Sequence, residues 1–356
     1  MVDINKSVIV IGAGVVGLST ALRLKQKGYK KVTIVAKYVP GDMCIEYASP
    51  YAGAHWRTMA PNNNKLLQKF DAVTYDKFMN LAKSSDNHGI IVVPSYDYYD
   101  DANLPEISDP WFKNLVQDFE FLTEKDILPQ GAQLGHKYKT VLINVPVYIA
   151  WLASKFKALG GEIVQRNVSH IDEVFNLFGK TSFVVNCTGL GARFLGGVND
   201  EAVFPTRGQT IVVKAPHIKR TVTHVGMLKL RTKGINYVIP RSDGTVILGG
   251  TADKHDFNPF PEAQTSEIIL QKTFTLCPEL KDKPLEIVKY NVGLRPSRIG
   301  GVRIENEMIT SRNKKQTVQV THAYGHGGFG VQSSWGSAEY IVETMEHGFA
   351  STAARL

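Results

Sequence analysis

Ser7-Val8-Ile9-Val10-Ile11-Gly12-Ala13-Gly14-Val15-Val16-Gly17-Leu18 decides how the rest of the chain is read. An apolar run enters three glycines spaced Gly-x-Gly-x-x-Gly, and apolar residues then recur at helical spacing, Leu18, Ala21, Leu22 and Leu24, before Gly28. The pattern predicts a buried strand, a tight turn and a helix. Each glycine lacks a side chain for its own reason: the first lets the chain turn, the second lets backbone approach a pyrophosphate, and the third lets helix pack closely on strand. Free N–H groups at the positive helix end then meet the phosphates. A second apolar strand over residues 32–36 completes the context that separates a dinucleotide site from an ordinary glycine turn. The carboxylate that would hold a ribose 2′-hydroxyl at the end of that strand is missing, for Ala36 and Lys37 stand there. A lysine suits a 2′-phosphate, so an NADP-binding reductase or binding module stays open at this point.

With 356 residues the chain exceeds what one core usually serves, and two domains are expected. A hydrophobic content of 43% excludes a disordered chain. No stretch holds eighteen apolar residues, and the opening run is broken by glycines in a way that a cofactor explains better than a signal peptide does. A soluble intracellular protein without a membrane partner is expected. Cys44, Cys187 and Cys277 are odd in number, far apart and outside any C-x-x-C spacing, which argues against disulfides and against a metal site. The net charge of +8 is spread along the chain. Its densest cluster, Arg312-Asn313-Lys314-Lys315, reads as a solvated turn, so anionic small molecules are better expected partners than nucleic acid. The terminal Ala354-Arg355-Leu356 resembles the Ser-Lys-Leu peroxisomal address.

Beyond the first βαβ unit, Ser49-Pro50-Tyr51-Ala52-Gly53-Ala54-His55-Trp56 is a run of small residues suited to backbone lying against a flat ligand. Residues 65–83 have helical spacing, and 97–110 are acidic and turn-rich. Helical periodicity returns over 145–159, with Pro146 in the first turn and Gly160-Gly161 as the stop, and strands follow over 162–168 and 183–187. A nucleotide domain resumed after an insertion accounts for this order. Strands are then expected at 207–214, 237–241 and 245–250, the last two joined by Ser242-Asp243-Gly244, with a basic loop over 215–236 that carries Met227. A helix over 266–280, a strand over 286–292, a loop through Arg298, a strand over 318–321 and a helix over 332–347 complete the chain. The glycine-rich His322-Ala323-Tyr324-Gly325-His326-Gly327-Gly328-Phe329-Gly330 delivers that last strand into a helix start, where N–H groups can stabilise anionic charge on a bound ring.

Seven stretches together resemble the successive signatures of the FAD-dependent D-amino-acid oxidases, over almost the whole chain: the glycine turn at 12–17, 49–56, Val185-Asn186-Cys187-Thr188-Gly189, Arg207-Gly208-Gln209-Thr210, Tyr237-Val238-Ile239-Pro240-Arg241, Gly293-Leu294-Arg295-Pro296 and 322–330. The resemblance is to the fungal type, with the D-aspartate oxidases as sister family. It implies an α/β fold in which a Rossmann-like FAD-binding domain of the glutathione-reductase type (1–60, 141–205 and 285–356) joins a mostly antiparallel α+β substrate domain (61–140 and 206–284). It tips the Lys37 question toward FAD. It further implies oxidative deamination: the Cα hydrogen leaves as hydride to the flavin, the imino acid hydrolyses to a 2-oxo acid and ammonia, and O₂ reoxidises the flavin to give H₂O₂. Peroxide fits a peroxisomal location, reached through an import receptor for the C-terminal tripeptide.

Residue by residue, the resemblance implies FAD contacts at Gly12, Ala13, Gly14, Val15, Val16, Gly17, Lys37, Ser49, Ala52, Gly53, Ala54, Val168, Cys187, Thr188, Gly189, Gly325, Gly327, Gly328, Phe329, Gly330 and Gln332. Arg295 would take the substrate carboxylate, for which its planar fork is suited, and Tyr237 would add a hydroxyl. Gly328 would offer a carbonyl to the amine and Gln332 an amide nearby. No acid–base residue is called for, since position and electrostatics are what the protein supplies. The side-chain pocket is expected to involve Met227, Ala252 and His55. The sister family carries an arginine after Gly-Gly-Thr, whereas Ala252 follows Gly249-Gly250-Thr251 here. An unpartnered β-carboxylate costs several kcal/mol to bury, so neutral D-amino acids are expected, with D-aspartate the alternative through Lys254, His255 or Arg231. No residue pattern demands a covalent flavin link, and a homodimer stays open.

Overall fold

The computed structural model describes residues 3–126, 128–226 and 235–353. Met227, Arg231 and the tripeptide Ala354-Arg355-Leu356 lie outside the described residues. The chain divides into two compact units, one of residues 1–50, 149–205 and 294–356 and one of residues 51–148 and 206–293. The second unit thus takes up the chain at Tyr51, ten residues ahead of the expected 61.

The first unit is built on a six-stranded sheet in the order Arg303–Thr310, Thr317–Tyr324, Phe183–Asn186, Ser7–Ile11, Lys31–Ala36 and Glu162–Gln165. All neighbours run parallel except the first pair. Both faces are covered, so the central strands are apolar throughout: Val8, Ile9, Val10 and Ile11 are all buried. The helix Val15–Gln26 packs against the C-terminal helix Ser334–Ala353, tied by Lys27 to Glu346 at 2.6 Å. Crossing of that first helix over the first strand depends on Gly17, where a Cβ would run into the carbonyl of Gly12.

The second unit carries a nine-stranded mixed sheet. Its strands Val203–Lys214, Thr245–Gly249, Asn236–Pro240 and Thr221–Val225 are antiparallel neighbours, the last lies parallel to Ile90–Tyr99, and Leu134–Ile143 follows antiparallel. Period-two alternation sorts the side chains. Ile211, Val213, Val238, Val246 and Leu248 pack with Ile269 of the helix Ala263–Leu276, whereas the intervening Val212, Ile239 and Ile247 form a separate cluster with Val93 and Leu142. The expected loop over 215–236 contains the strand Thr221–Val225, and the expected strand 286–292 runs on as Glu286–Arg298, so Arg295 sits on a strand rather than in a loop. An α/β first unit and a largely antiparallel α+β second unit agree with the fold class that the sequence implies.

Candidate active site

In the first unit four separated segments meet at the carboxyl ends of the central strands. Gly12, at φ +107°, lies so close to Cys187 that an added Cβ would strike the Cys187 carbonyl. The same Cβ at Gly17 would come within 3.3 Å of Cys187 Cβ. At Gly330 it would stand 3.8 Å from Val16 Cγ2, and at Gly189 it would stand 3.6 Å from the Pro296 ring. Gly327 donates its N–H to the Pro296 carbonyl (2.9 Å), and the Cβ position of Gly328 is 3.4 Å from Arg295 Cδ. Backbone from both ends of the chain therefore converges around the glycine turn, with the Arg295 stem beside Gly328.

The turn fits a dinucleotide on its own geometry. Gly14 caps the helix in an extended conformation without any side-chain cap, and no acidic residue stands in the first helical turn to repel phosphate. Two hydrogen bonds fasten the segment 47–49 over it: Tyr47 donates to the Ala13 carbonyl (2.6 Å), and Ser49 Oγ accepts the Val15 N–H (3.1 Å). Thr188 is oriented by its neighbour, its hydroxyl donating to Asn186 Oδ1 at 2.7 Å. Val168 packs against the apolar cluster to which Ile11 and Val35 belong. Phe329 N–H closes a turn onto the His326 carbonyl, and His326 itself is buried against Ser337 (3.2 Å), burial driving its pKa down to about 4. Gln332 is buried, but it precedes the helix Ser334–Ala353 instead of opening it. Lys37 does not stand alone at the end of the second strand; its Nζ pairs with Glu46 at 2.9 Å.

Gly325, at φ +89°, lies in the first unit, its Cβ position 2.9 Å from Arg298 Cβ; Ala52, Gly53, Ala54, His55, Tyr237 and Ala252 lie in the second. Tyr237 is the second residue of the strand Asn236–Pro240 and is paired across the ladder with Gly249. Its ring lies against the end of the strand Thr245–Gly249, for a Cβ at Gly249 would overlap the ring and one at Gly250 would come 2.7 Å from the hydroxyl. Ala252 is exposed, three residues beyond the strand end. Ala52 and Gly53 are held through their carbonyls, both of which accept from Arg241, at 2.9 and 2.8 Å. Burial pulls the Arg241 pKa down to about 10, against the attraction of Asp243. Ala54 exchanges both backbone hydrogen bonds with Ile143. His55 is only partly covered as a residue, yet its Nε2 is shut off from solvent and has no hydrogen-bond partner among the described residues. Burial lowers its pKa to about 4, with Asp97 opposing.

Three groups escape a reading of the sequence. Arg241 closes the Tyr237-containing motif but gives no sign there that it grips residues 52–53. Arg57 and the fully buried Asp97 form an ion pair at 3.2 Å, to which Tyr138 adds a hydroxyl at 2.9 Å; forty residues separate the two charges. Glu46 sits in a turn-rich stretch with no local pattern. Among the described residues no group of three metal-ligating side chains occurs, and no helix is long and apolar enough to cross a membrane.

The sequence matches the family model described as FAD dependent oxidoreductase, DAO, over residues 7–344. A D-amino-acid oxidase of Schizosaccharomyces pombe is 35% identical over 94% of each chain, and a D-aspartate oxidase of Talaromyces thermophilus is 31% identical over 95% of this chain and 94% of its own. A glycine oxidase from Bacillus cereus superposes with a TM-score of 0.74 at 21% identity, covering 96% of this chain and 95% of the other. The converging glycine segments, the dinucleotide turn and these likenesses lead to one conclusion: the chain belongs to the DAO family of FAD-dependent oxidoreductases, the family of the D-amino-acid oxidases.

Proposed function

We propose that the protein oxidatively deaminates neutral D-amino acids to 2-oxo acids and ammonia, passing the electrons to O₂ as H₂O₂. The observation that carries this reading is the stem of Arg295 lying beside Gly328 next to the dinucleotide turn. FAD, which the glycine turn and the 327–330 backbone would hold, would supply the two-electron acceptor for the hydride that leaves the substrate α-carbon. The chain's own work is binding and orientation. Arg295 takes the α-carboxylate with its two-pronged guanidinium. The Gly328 carbonyl accepts from the amine and Gln332 lends an amide, while the Tyr237 hydroxyl, which the resemblance assigns to the carboxylate, is steadied over Gly249 within the second unit. With carboxylate and amine both fixed, one direction is left for the side chain.

Preference for neutral side chains rests on the want of a cation at position 252. Ala252 supplies none, and the buried Arg57 already has its charge matched by Asp97. His55, neutral above about pH 4, offers a hydrogen bond but no charge. D-Aspartate oxidation is the second reading, favoured by the unsatisfied His55 Nε2. A panel of D- and L-amino acids read by peroxide release tests the proposal; turnover confined to D-aspartate, or to L-substrates, would reject it. We also propose a peroxisomal location, for the peroxide product and for the tripeptide Ala354-Arg355-Leu356. A fluorescent fusion that enters peroxisomes equally well without those three residues would reject that role for them.

A further inference from the structure

The dinucleotide fold ordinarily ends its second strand with a carboxylate that accepts the hydrogen bonds of the adenosine ribose. Here Lys31–Ala36 ends in a buried alanine followed by a lysine, and both features work against a ribose diol. The structure nevertheless brings a carboxylate to the same place from further along the chain. Glu46 Oε2 accepts from Lys37 Nζ at 2.9 Å and from the Tyr38 hydroxyl at 3.0 Å, both residues immediately following the second strand. Glu46 is also anchored from the other side. Its neighbour Tyr47 donates to the Ala13 carbonyl inside the glycine turn, and Ser49 takes the Val15 N–H at the helix start. The side chain is thereby held at the strand end by Lys37 and Tyr38, on a segment whose next residues are fastened to the glycine turn.

We propose that Glu46 is the ribose-binding carboxylate of this chain, presented by Lys37 and Tyr38 in place of an acid at the strand end. Both observed hydrogen bonds fall on Oε2, and a carboxylate has acceptor sites on each oxygen, so Oε1 is available to the diol. Lys37 and Tyr38 also hold Glu46 ionised, its pKa lying below the usual carboxylate range chiefly through the Lys37 hydrogen bond. The same pairing answers what Lys37 would do alone. An unneutralised lysine at this position attracts a 2′-phosphate, whereas the Lys37–Glu46 pair presents that phosphate with a carboxylate. Half-exposed ion pairs contribute little to stability, so the weight of this one falls on what it offers a ligand. The inference rests on FAD binding, not on which amino acid is oxidised.

The test is the FAD dissociation constant, read by the flavin fluorescence released on diluting holoenzyme, for the wild type and for Glu46→Gln. The amide keeps the shape, loses the charge and turns one acceptor into a donor. FAD should bind about tenfold more weakly in Glu46→Gln, and FMN, which has no adenosine ribose, should bind as it does to the wild type. In competition with FAD, ADP-ribose should lose affinity in the variant while 2′-phospho-ADP-ribose gains it. Lys37→Met, which leaves the carboxylate but removes one of its two holders, should weaken FAD less than Glu46→Gln does. An unchanged FAD constant in Glu46→Gln overturns the proposal, and so does an equal loss for FMN and FAD, since that would mark a general disturbance of the turn. Failure of the D-amino-acid panel leaves these binding results as they stand.

Discussion

Arg295 is the single side chain on which the proposed chemistry turns, and it was legible only through the motif around it. Leu294-Arg295-Pro296 by itself reads like any structural arginine; what the fold adds is the backbone of Gly328 beside its stem. Replacing the guanidinium by an isobutyl group in Arg295→Leu removes the charge partner of a desolvated carboxylate. The expected cost is about 2–5 kcal/mol of transition-state binding, roughly thirty-fold to several-thousand-fold in kcat/KM. Steady-state kinetics on D-alanine measure it, and near-wild-type values would mean that another group holds the carboxylate. Ala252→Arg probes side-chain selection at the same scale. An added cation should raise the kcat/KM ratio of D-aspartate to D-alanine by about tenfold or more; a flat ratio would show that position 252 does not face the substrate side chain. Glu46, Arg57 and Asp97 were beyond reading in the sequence for one shared reason. Each acquires its role from a partner that only the fold supplies, whether nine residues off or forty.

Elements with apolar buried faces were readable and elements with polar buried faces were not. The strand Ser7–Ile11 and its glycine turn fall where the sequence puts them, because apolar content and glycine spacing report directly on burial and turning. The strands Ile90–Tyr99 and Leu134–Ile143 carry no such signal, and the former ends inside the acidic, turn-rich stretch 97–110. Their inward positions include Ser95, Asp97, His136 and Thr140, all fully buried, so the usual apolar alternation is replaced by a hydrogen-bonded network and the period-two signal is lost. The hairpin of Asn236–Pro240 and Thr245–Gly249 was legible from its turn, although the reason for its glycines was not. Gly249 and Gly250 are the surface on which Tyr237 lies. In Gly249→Ala the new methyl must push the ring aside, and kcat/KM should fall by about ten- to a hundred-fold, the worth of one hydrogen bond to a charged group. Tyr237→Phe should cost a similar amount, and the double variant little more than either alone. Additive losses would show that the glycine acts by some other route than the tyrosine.

At the scale of the whole molecule, each unit buries a histidine in a form that cannot easily accept a proton. His326 in the first unit and His55 in the second both have pKa values lowered from 6.5 to about 4 by burial. In the unfolded chain these imidazoles take protons near pH 6.5, whereas in the folded protein they stay neutral until about pH 4. Between those limits the unfolded state binds more protons, so stability falls as the pH is lowered through this window and becomes independent of these groups above it. Each contributes a slope of up to about 1.4 kcal/mol per pH unit. Carboxylates such as Asp200 act elsewhere: burial works against its charge, but hydrogen bonds from Arg298 and Tyr324 prevail and hold its pKa below 3.8, which confines its effect to more acid conditions. Denaturant unfolding of the holoenzyme at fixed FAD, from pH 4.5 to 8, should therefore show stability flat near pH 7.5 and declining below 6.5. His326→Asn, which keeps a polar partner for Ser337 but cannot titrate, should remove up to one proton's worth of that slope. A variant with the wild-type slope would mean that His326 is protonated in the folded protein as readily as in the unfolded chain.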